Sequence, residues 1–349
     1  MTRTVAVLTQ KNEGAFLLEW LAHHKATGFT DFVVLSNDCD DGSDLMLDRL
    51  QDLGHLSHIR NDGPYDERGI QFTALKLADT HPTVQQADWI ISMDIDEFVN
   101  VHVGDRTLNA LFQAAPSATA IALTWRLFGN NGAYEYKDRF VTERFTRAAP
   151  KTMAWPWRAF MIKTLYKNDG TYSKLGVHRP RNPDKSRLGK SHWINGSGVA
   201  LDDSFKLKRL FADYSTDTYH LVQMNHYALG DMQSFIVKCD RGRSGTSYQP
   251  LGMEYWTERN FVQEEDRSIL HLNSATRKIF DDLLQDEILF KLHENAVEWR
   301  HKKFQQLMQH EPIRALLGRM MMTPPSQPIS VDHANILRNY AQIAHKCQN

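Results

Sequence analysis

The feature that most constrains this chain is an alternation of strand-like and helix-like segments running from Thr4 to His102. The run TVAVLT, Thr4 to Thr9, has the apolar, β-branched composition of a buried strand. NEGAFLLEWLAHHKATG follows as a helix, with Asn12 placed to cap its start and Gly28 to close it. The pattern repeats. DFVVLSN is a second strand, DDGSDLMLDRLQDLG a second helix ending at Gly54, HLSHIRN a third strand and ERGIQFTALKLADTH a third helix; Trp89, Ile90, Ile91 and Met93 then make a fourth strand. Parallel neighbours need a crossover long enough to hold a helix, so this spacing implies βαβ units. The expected fold is α/β, with a doubly wound, mostly parallel, Rossmann-like sheet.

Ligands of such sheets bind beyond the carboxyl ends of the strands. The polar segments collected there are QKNE after the first strand, SNDCDDGSD after the second, NDGPYDERG after the third and DIDE after the fourth. Neither GxGxxG nor GxxxxGK[ST] occurs among them, so the glycine-rich phosphate cradles are missing and a bound phosphate needs a cation. Asp94 and Asp96 stand two apart, which in an extended segment puts them on one face while Ile95 turns to the core. Two adjacent carboxylates need water, a positive side chain or a cation to relieve their repulsion. Hard oxygen donors suit a divalent ion that keeps other positions for water and a diphosphate. Taken as a bare pattern the pair also fits a solvated turn; its place at the end of a parallel strand favours the ion.

Composition removes several function classes. The 349 residues are 42% hydrophobic, enough for a large core, and the net charge of -1 gives no reason to expect nucleic acid or an anionic membrane as partner. No apolar run reaches the ~18 residues of a membrane span, and Val5 to Leu8 is too short for a signal-peptide core of roughly 7–15. Cys39, Cys239 and Cys347 fit neither a disulfide framework nor a zinc site, so a cytoplasmic setting is the default expectation.

With those residues in view, KNEGAFLLEWLAHHKATGF, LSNDCDDGSDLMLDRL and ISMDIDEFV resemble the bacterial branch of GT-A glycosyltransferases related to family two and to the family ninety-two galactosyltransferases. The resemblance continues through WRLFGNNG, VTERF, GVHRP and NHYALGDMQSFIVKCDRGR, covering Thr4 to Arg243. It implies a GT-A type fold and a nucleotide-sugar donor, a UDP-sugar by family habit, whose diphosphate is bound through Mn²⁺ or Mg²⁺. By position, Asn12 and Glu13 line the nucleoside pocket and Asp38 meets the base. Glu13 is equally suited to be a favourable charge at a helix start. Asp40, Asp41 and Asp44 organise the turn and cap the next helix, and Gln71 is placed to face the pocket or solvent. His226 is the implied third metal ligand beside Asp94 and Asp96. Lys238, Arg241 and Arg243 follow at a distance suited to neutralising the leaving diphosphate, or simply end a solvated helix.

An inverting transfer needs a base for the acceptor hydroxyl. The resemblance points to Glu143 in VTERF, with Asp138 as its rival; the competing reading of Glu143 is an exposed acid paired with Arg139 or Arg147. Trp125 is placed on the acceptor side, where a ring could stack on a saccharide or pack in the core, as could Trp155 and Trp157. His178 in GVHRP binds substrate or fixes the turn before Pro180.

From Leu251 the alternation stops and a helical composition takes over. The expected organisation is a catalytic domain over 1–250, with a nucleotide-sugar half near 1–100 and an acceptor half over 101–250. A helical appendage over 251–322 and a Pro-rich linker with a C-terminal tail over 323–349 follow. The appendage could pack on the catalytic domain, bind a partner or mediate self-association. The expected activity is therefore metal-dependent transfer of a sugar to a saccharide or other hydroxyl acceptor. A nucleotide-sugar or saccharide binding module without catalysis is the alternative. A dehalogenase-type phosphohydrolase fits poorly, because DIDEF falls on the fourth strand.

Overall fold

The computed structural model describes residues 2–65, 67, 69–241 and 251–347, with backbone alone for 344–347. The N-terminal alternation is realised as β1 (Thr4–Gln10), α1 (Gly14–Thr27), β2 (Asp31–Ser36), α2 (Ser43–Asp52), β3 (Ser57–Arg60), α3 (Ile70–Ala78) and β4 (Trp89–Met93). The rest of the sheet comes from β5 (Glu97–Val101), β6 (Ala120–Leu127), β8 (Ile162–Lys167), β11 (Trp193–Asn195) and β12 (Val222–His226). Strands β7 (Arg147–Ala148) and β13 (Glu264–Glu265) pair with each other, as do β9 (Tyr172–Lys174) and β10 (Arg181–Pro183).

The sheet order is β3-β2-β1-β4-β8-β6-β12-β5, with β11 sharing the β6 edge used further along by β12. Only β8 and β5 run against the other strands of this sheet, so it is mostly parallel as expected. The chain steps outward from β1 to β3 and then returns to the other side of β1 with β4. Right-handed crossovers make that reversal put α3 on the face opposite α1 and α2, and leave a crevice between the ends of β1 and β4.

Between β4 and β5 there are three residues, Asp94 to Asp96, although β8, β6 and β12 lie between these two strands in the sheet. Such a link spans ~14 Å at full stretch, whereas four strand spacings in a flat sheet take ~19 Å. The chain instead closes a turn, with Glu97 N–H donating to Asp94 O at 3.1 Å. The sheet must therefore curl into a half-barrel whose mouth is bridged by the acid-bearing turn.

Helix α1 is buried on most of its circumference, including Leu17, Leu18, Trp20, Leu21, His23 and His24. A helix apolar all round needs cover on both sides. The sheet supplies one side, and the helices Asn273–Leu283 and Glu287–Leu307 supply the other. Gly14 lets the second of these approach, since a Cβ there would stand 2.9 Å from the Ala296 Cβ. The C-terminal helices thus share the main core through Leu283, Leu289 and Ala296. Asn12 does not cap α1. It sits at φ 55 and accepts from Asp40 N–H, while Asp41 reaches across from the β2 loop to take the Gly14 N–H at 2.8 Å. Gly28 closes the helix at φ 104 as expected. No described helix is long and apolar enough to cross a membrane.

Candidate active site

A cleft of about 510 Å³ opens at the β1–β4 crevice, within the range of roughly 300–1,000 Å³ usual for ligand pockets. Towards β1 and β2 it is lined by Thr9, Gln10, Lys11, Asn37 and Gln71, and on its far side by Trp125, Arg158, His178, Tyr255 and Arg259. Asp94, Asp96, His226, Lys238 and Arg241 lie along it as well.

Asp94 and Asp96 both reach this cleft, but through the turn rather than through strand alternation. Asp94 accepts from Gln71 Nε2 at 3.2 Å and from Lys163 Nζ at 3.0 Å. Asp96 accepts from Lys238 Nζ at 2.6 Å and lies 3.6 Å from His226 Nε2. Burial alone would raise the Asp96 carboxyl, but Lys238 and then His226 outweigh it and hold it well below the usual carboxylate range. Each acid is thus matched with its own lysine.

Beneath the turn, the Glu97 side chain is fully buried and acts as its brace. It accepts from Asp94 N–H at 2.8 Å and from Trp125 Nε1 at 2.7 Å, with Lys163 Nζ at 3.1 Å. Burial pushes this carboxyl up to about 8 against the attraction of Lys163, and the neighbouring charges of Asp94 and Asp96 add to the rise. Against burial that works the other way, Asp94 and Glu97 together hold the Lys163 pKa above the usual lysine value. Breaking a buried pair of this kind typically costs about 3–5 kcal/mol. Lys163 was missed from sequence; its one signal is a lone cation within the apolar run FMIKTLY.

His226 ends β12 and stands across the ladder from Glu97. Among the described residues its Nδ1 is buried without a hydrogen-bond partner, and the Trp125 ring lies 4.1 Å from its own. Burial lowers its pKa, partly opposed by Asp96, so the ring is neutral at neutral pH. Trp125 is 7% exposed and forms the cleft floor rather than a free stacking platform. Among the described residues no group of three or more His, Cys, Asp or Glu side chains converges to hold a metal. Of the three expected ligands, Asp96 and His226 come together and Asp94 turns to Gln71 and Lys163.

Lys238 and Arg241 project from the helix Met232–Arg241, one turn apart. Arg241 donates to the Lys11 carbonyl at 3.0 Å and pairs with Glu13. Asn12 and Glu13 line a smaller adjoining niche with Lys238 and Arg241. Asp38 is half exposed at the cleft edge, accepting from Tyr65 Oη at 3.0 Å with Lys11 Nζ 3.8 Å away. Arg243 lies outside the described residues.

The two acids expected as base do not line the cleft. Glu143 accepts from Asn273 Nδ2 at 2.7 Å and from Arg277 at 2.5 Å, and these partners outweigh burial to lower its pKa. Asp138 faces His293 Nε2 at 3.2 Å. Both are occupied in fastening the VTERF segment to the C-terminal helices, contacts that lie too far along the chain for helical spacing to reveal. Arg158, Tyr255 and Arg259 were likewise missed. Arg259 stacks over the Tyr255 ring at 3.6 Å, and Lys238 lies 5.5 Å from the same ring.

Comparison with known proteins adds a name to this geometry. The family model of glycosyltransferase family 92 matches residues 4–244, most of the chain and all of the cleft's strand-borne residues. The chain belongs to glycosyltransferase family 92. A glycosyltransferase family 92 protein of Oryza sativa subsp. japonica is 26% identical to this family 92 chain over 149 residues, 40% of it and 24% of the rice protein. The chain therefore spans about a quarter of that relative's length. Among solved structures, S. aureus TarS in complex with UDP is 14% identical over 48% of this chain and 47% of its own, at a TM-score of 0.30. A putative glucose-1-phosphate thymidylyltransferase from Bacillus anthracis in complex with a sucrose is 12% identical over 57% of this chain and 89% of its own, at a TM-score of 0.31.

Proposed function

We propose that this family 92 chain transfers a sugar from a nucleotide-diphosphate sugar, a UDP-sugar first, to a hydroxyl of a saccharide or other acceptor, with inversion. The observation that carries this reading is that two acids at the β4 end and the cations Lys238 and Arg241 line one cleft, with Asp96 paired to Lys238. The cations suit a diphosphate, and the acids suit a ribose hydroxyl or a divalent ion.

Mn²⁺ or Mg²⁺ fits a site with two protein ligands. Among the described residues His226 Nδ1 is buried without a hydrogen-bond partner, while Nε2, 3.6 Å from Asp96, is the nitrogen placed to share an ion with that carboxylate. One oxygen and one imidazole nitrogen leave most positions for diphosphate and water. Such an ion, when bound, would neutralise charge on the leaving diphosphate. Lys238 holds Asp96 in place without it, and Arg241, fixed by Glu13 and the Lys11 carbonyl, presents a second positive group.

A non-catalytic binding module is favoured by one observation, the engagement of Glu143 and Asp138 away from the cleft. The two readings separate on turnover. UDP should bind in calorimetry with an affinity that rises with Mn²⁺, and a panel of UDP-sugars should release free UDP faster with an acceptor present. Binding without release points to the module, and no binding of any nucleoside diphosphate removes both.

A further inference from the structure

The geometry points to His178 as the catalytic base of the transfer, an inference that rests on the reading above and gives it a residue that Glu143 and Asp138 do not supply. His178 lines the cleft beside Trp125. Its Nδ1 lies 3.1 Å from the carbonyl oxygen of Ile162. A carbonyl can only accept, so Nδ1 carries the proton and the neutral ring leaves a lone pair on Nε2. Among the described residues Nε2 makes no hydrogen bond.

The ring is held in this state from three directions. Thr164 Oγ1 donates to the His178 carbonyl at 3.0 Å, fixing its backbone to the strand that also supplies Ile162. The Trp125 ring meets His178 edge-on at 5.6 Å and limits its rotation. Between Ile162 and Thr164, Lys163 reaches Asp94 and Glu97, so one strand positions both the acid-turn cation and the histidine. Burial, and then the positive charge of Lys163, lower the His178 pKa to about 4 with Asp94 opposing, which keeps the lone pair available at neutral pH. A bound diphosphate brings negative charge that works against Lys163 and strengthens the base when the donor is in place.

The other candidates at this wall are engaged. Asp94 and Asp96 are paired with Lys163 and Lys238, His226 faces Asp96, and Glu97 lies buried under the turn. In the proposed step, the acceptor oxygen forms a bond to the anomeric carbon as its proton passes to His178 Nε2. The bond from that carbon to the diphosphate oxygen breaks, and its electron pair leaves with the nucleotide. The imidazolium then returns its proton to water.

The test starts with wild-type protein, Mn²⁺ and UDP-glucose, UDP-galactose or UDP-N-acetylglucosamine, each with a panel of methyl glycosides, reading free UDP. The fastest pair is then used for His178→Ala and His178→Gln. Both should lose about 10²- to 10⁴-fold in kcat while UDP affinity stays within roughly threefold. Added imidazole should restore part of the Ala variant's rate, a rescue that a merely structural histidine does not show. In ¹⁵N spectra of the folded wild type, His178 should carry its proton on Nδ1. Turnover within roughly threefold of wild type in either variant overturns the assignment, as does a proton on Nε2. A loss of rate matched by a loss of UDP affinity, without imidazole rescue, assigns His178 to structure instead. A wild type that binds UDP and releases none from any pair removes the transferase reading itself, and the base with it.

Discussion

Lys238 Nζ stands 2.6 Å from Asp96 Oδ2, so the second acid of the turn is held by a cation from the helix that follows β12. Lys238→Met should leave that carboxylate without its lysine. With side chains 15% and 20% exposed, the cost is expected at about 1–3 kcal/mol, below that of a fully buried pair. Urea unfolding measures it, and calorimetry should show UDP affinity reduced roughly tenfold as one diphosphate contact is lost. Unchanged UDP affinity would detach Lys238 from the nucleotide.

Asp96→Asn keeps the shape of the side chain and removes its charge. Mn²⁺-dependent gain in UDP affinity should disappear, and loss of the Lys238 pair should cost about 1–3 kcal/mol, softened by the Ala228 carbonyl that Lys238 retains at 2.7 Å. His226→Gln should weaken Mn²⁺ binding by roughly 10- to 100-fold, read from free Mn²⁺ by electron paramagnetic resonance. A normal Mn²⁺ titration in both variants would place the ion elsewhere or remove it.

Glu143→Gln is expected to leave turnover within roughly threefold of wild type, since the acid faces Arg277 and not the cleft. The partly exposed ion pair it loses is worth about 0–1 kcal/mol. A collapse of kcat at constant UDP affinity would restore Glu143 as the base and dismiss His178.

His23 and His24 are buried side by side in α1, rings 5.1 Å apart. Burial takes His23 down to about 4 and, with the help of His23, His24 well below its usual value. Both are therefore neutral in the fold and protonate more readily when unfolded, with an unfolded pKa near 6.5. Their stabilising effect is complete above that value and is lost as pH falls from about 6.5 toward the folded pKa. Between pH 7 and pH 5 the loss should be on the order of 2 kcal/mol for each histidine. His23→Gln keeps a donor for the Val99 carbonyl and should reduce the slope by about half. Equal slopes in urea titrations would show that these rings do not control acid sensitivity.

The N-terminal half was legible because its signals are local. The four strands and three helices follow from apolar runs punctuated by Gly28, Gly54 and the polar loops, and Asp94 and Asp96 stand out against the apolar strand before them. What escaped depends on contacts between distant segments. Asp41 rather than Asn12 meets the start of α1 because two loops cross. Lys163 joins Asp94 across 69 positions, and Arg277 takes Glu143 across 134. A rule based on spacing of three or four residues finds Arg139 or Arg147 for Glu143, since it has no access to a helix that returns from the C-terminus.

The turn that bridges the half-barrel also limits how the chain can vary. Asp94, Ile95 and Asp96 are followed at once by Glu97, which is in ladder register with His226 and bonded back to Asp94. One inserted residue would have to break either that back-bond or the pairing of β5 with β12, and a slip in register exchanges the two faces of a strand. Side chains in this stretch can be replaced one at a time; its length cannot. A single-glycine insertion after Ile95 should therefore be more damaging than any single substitution there.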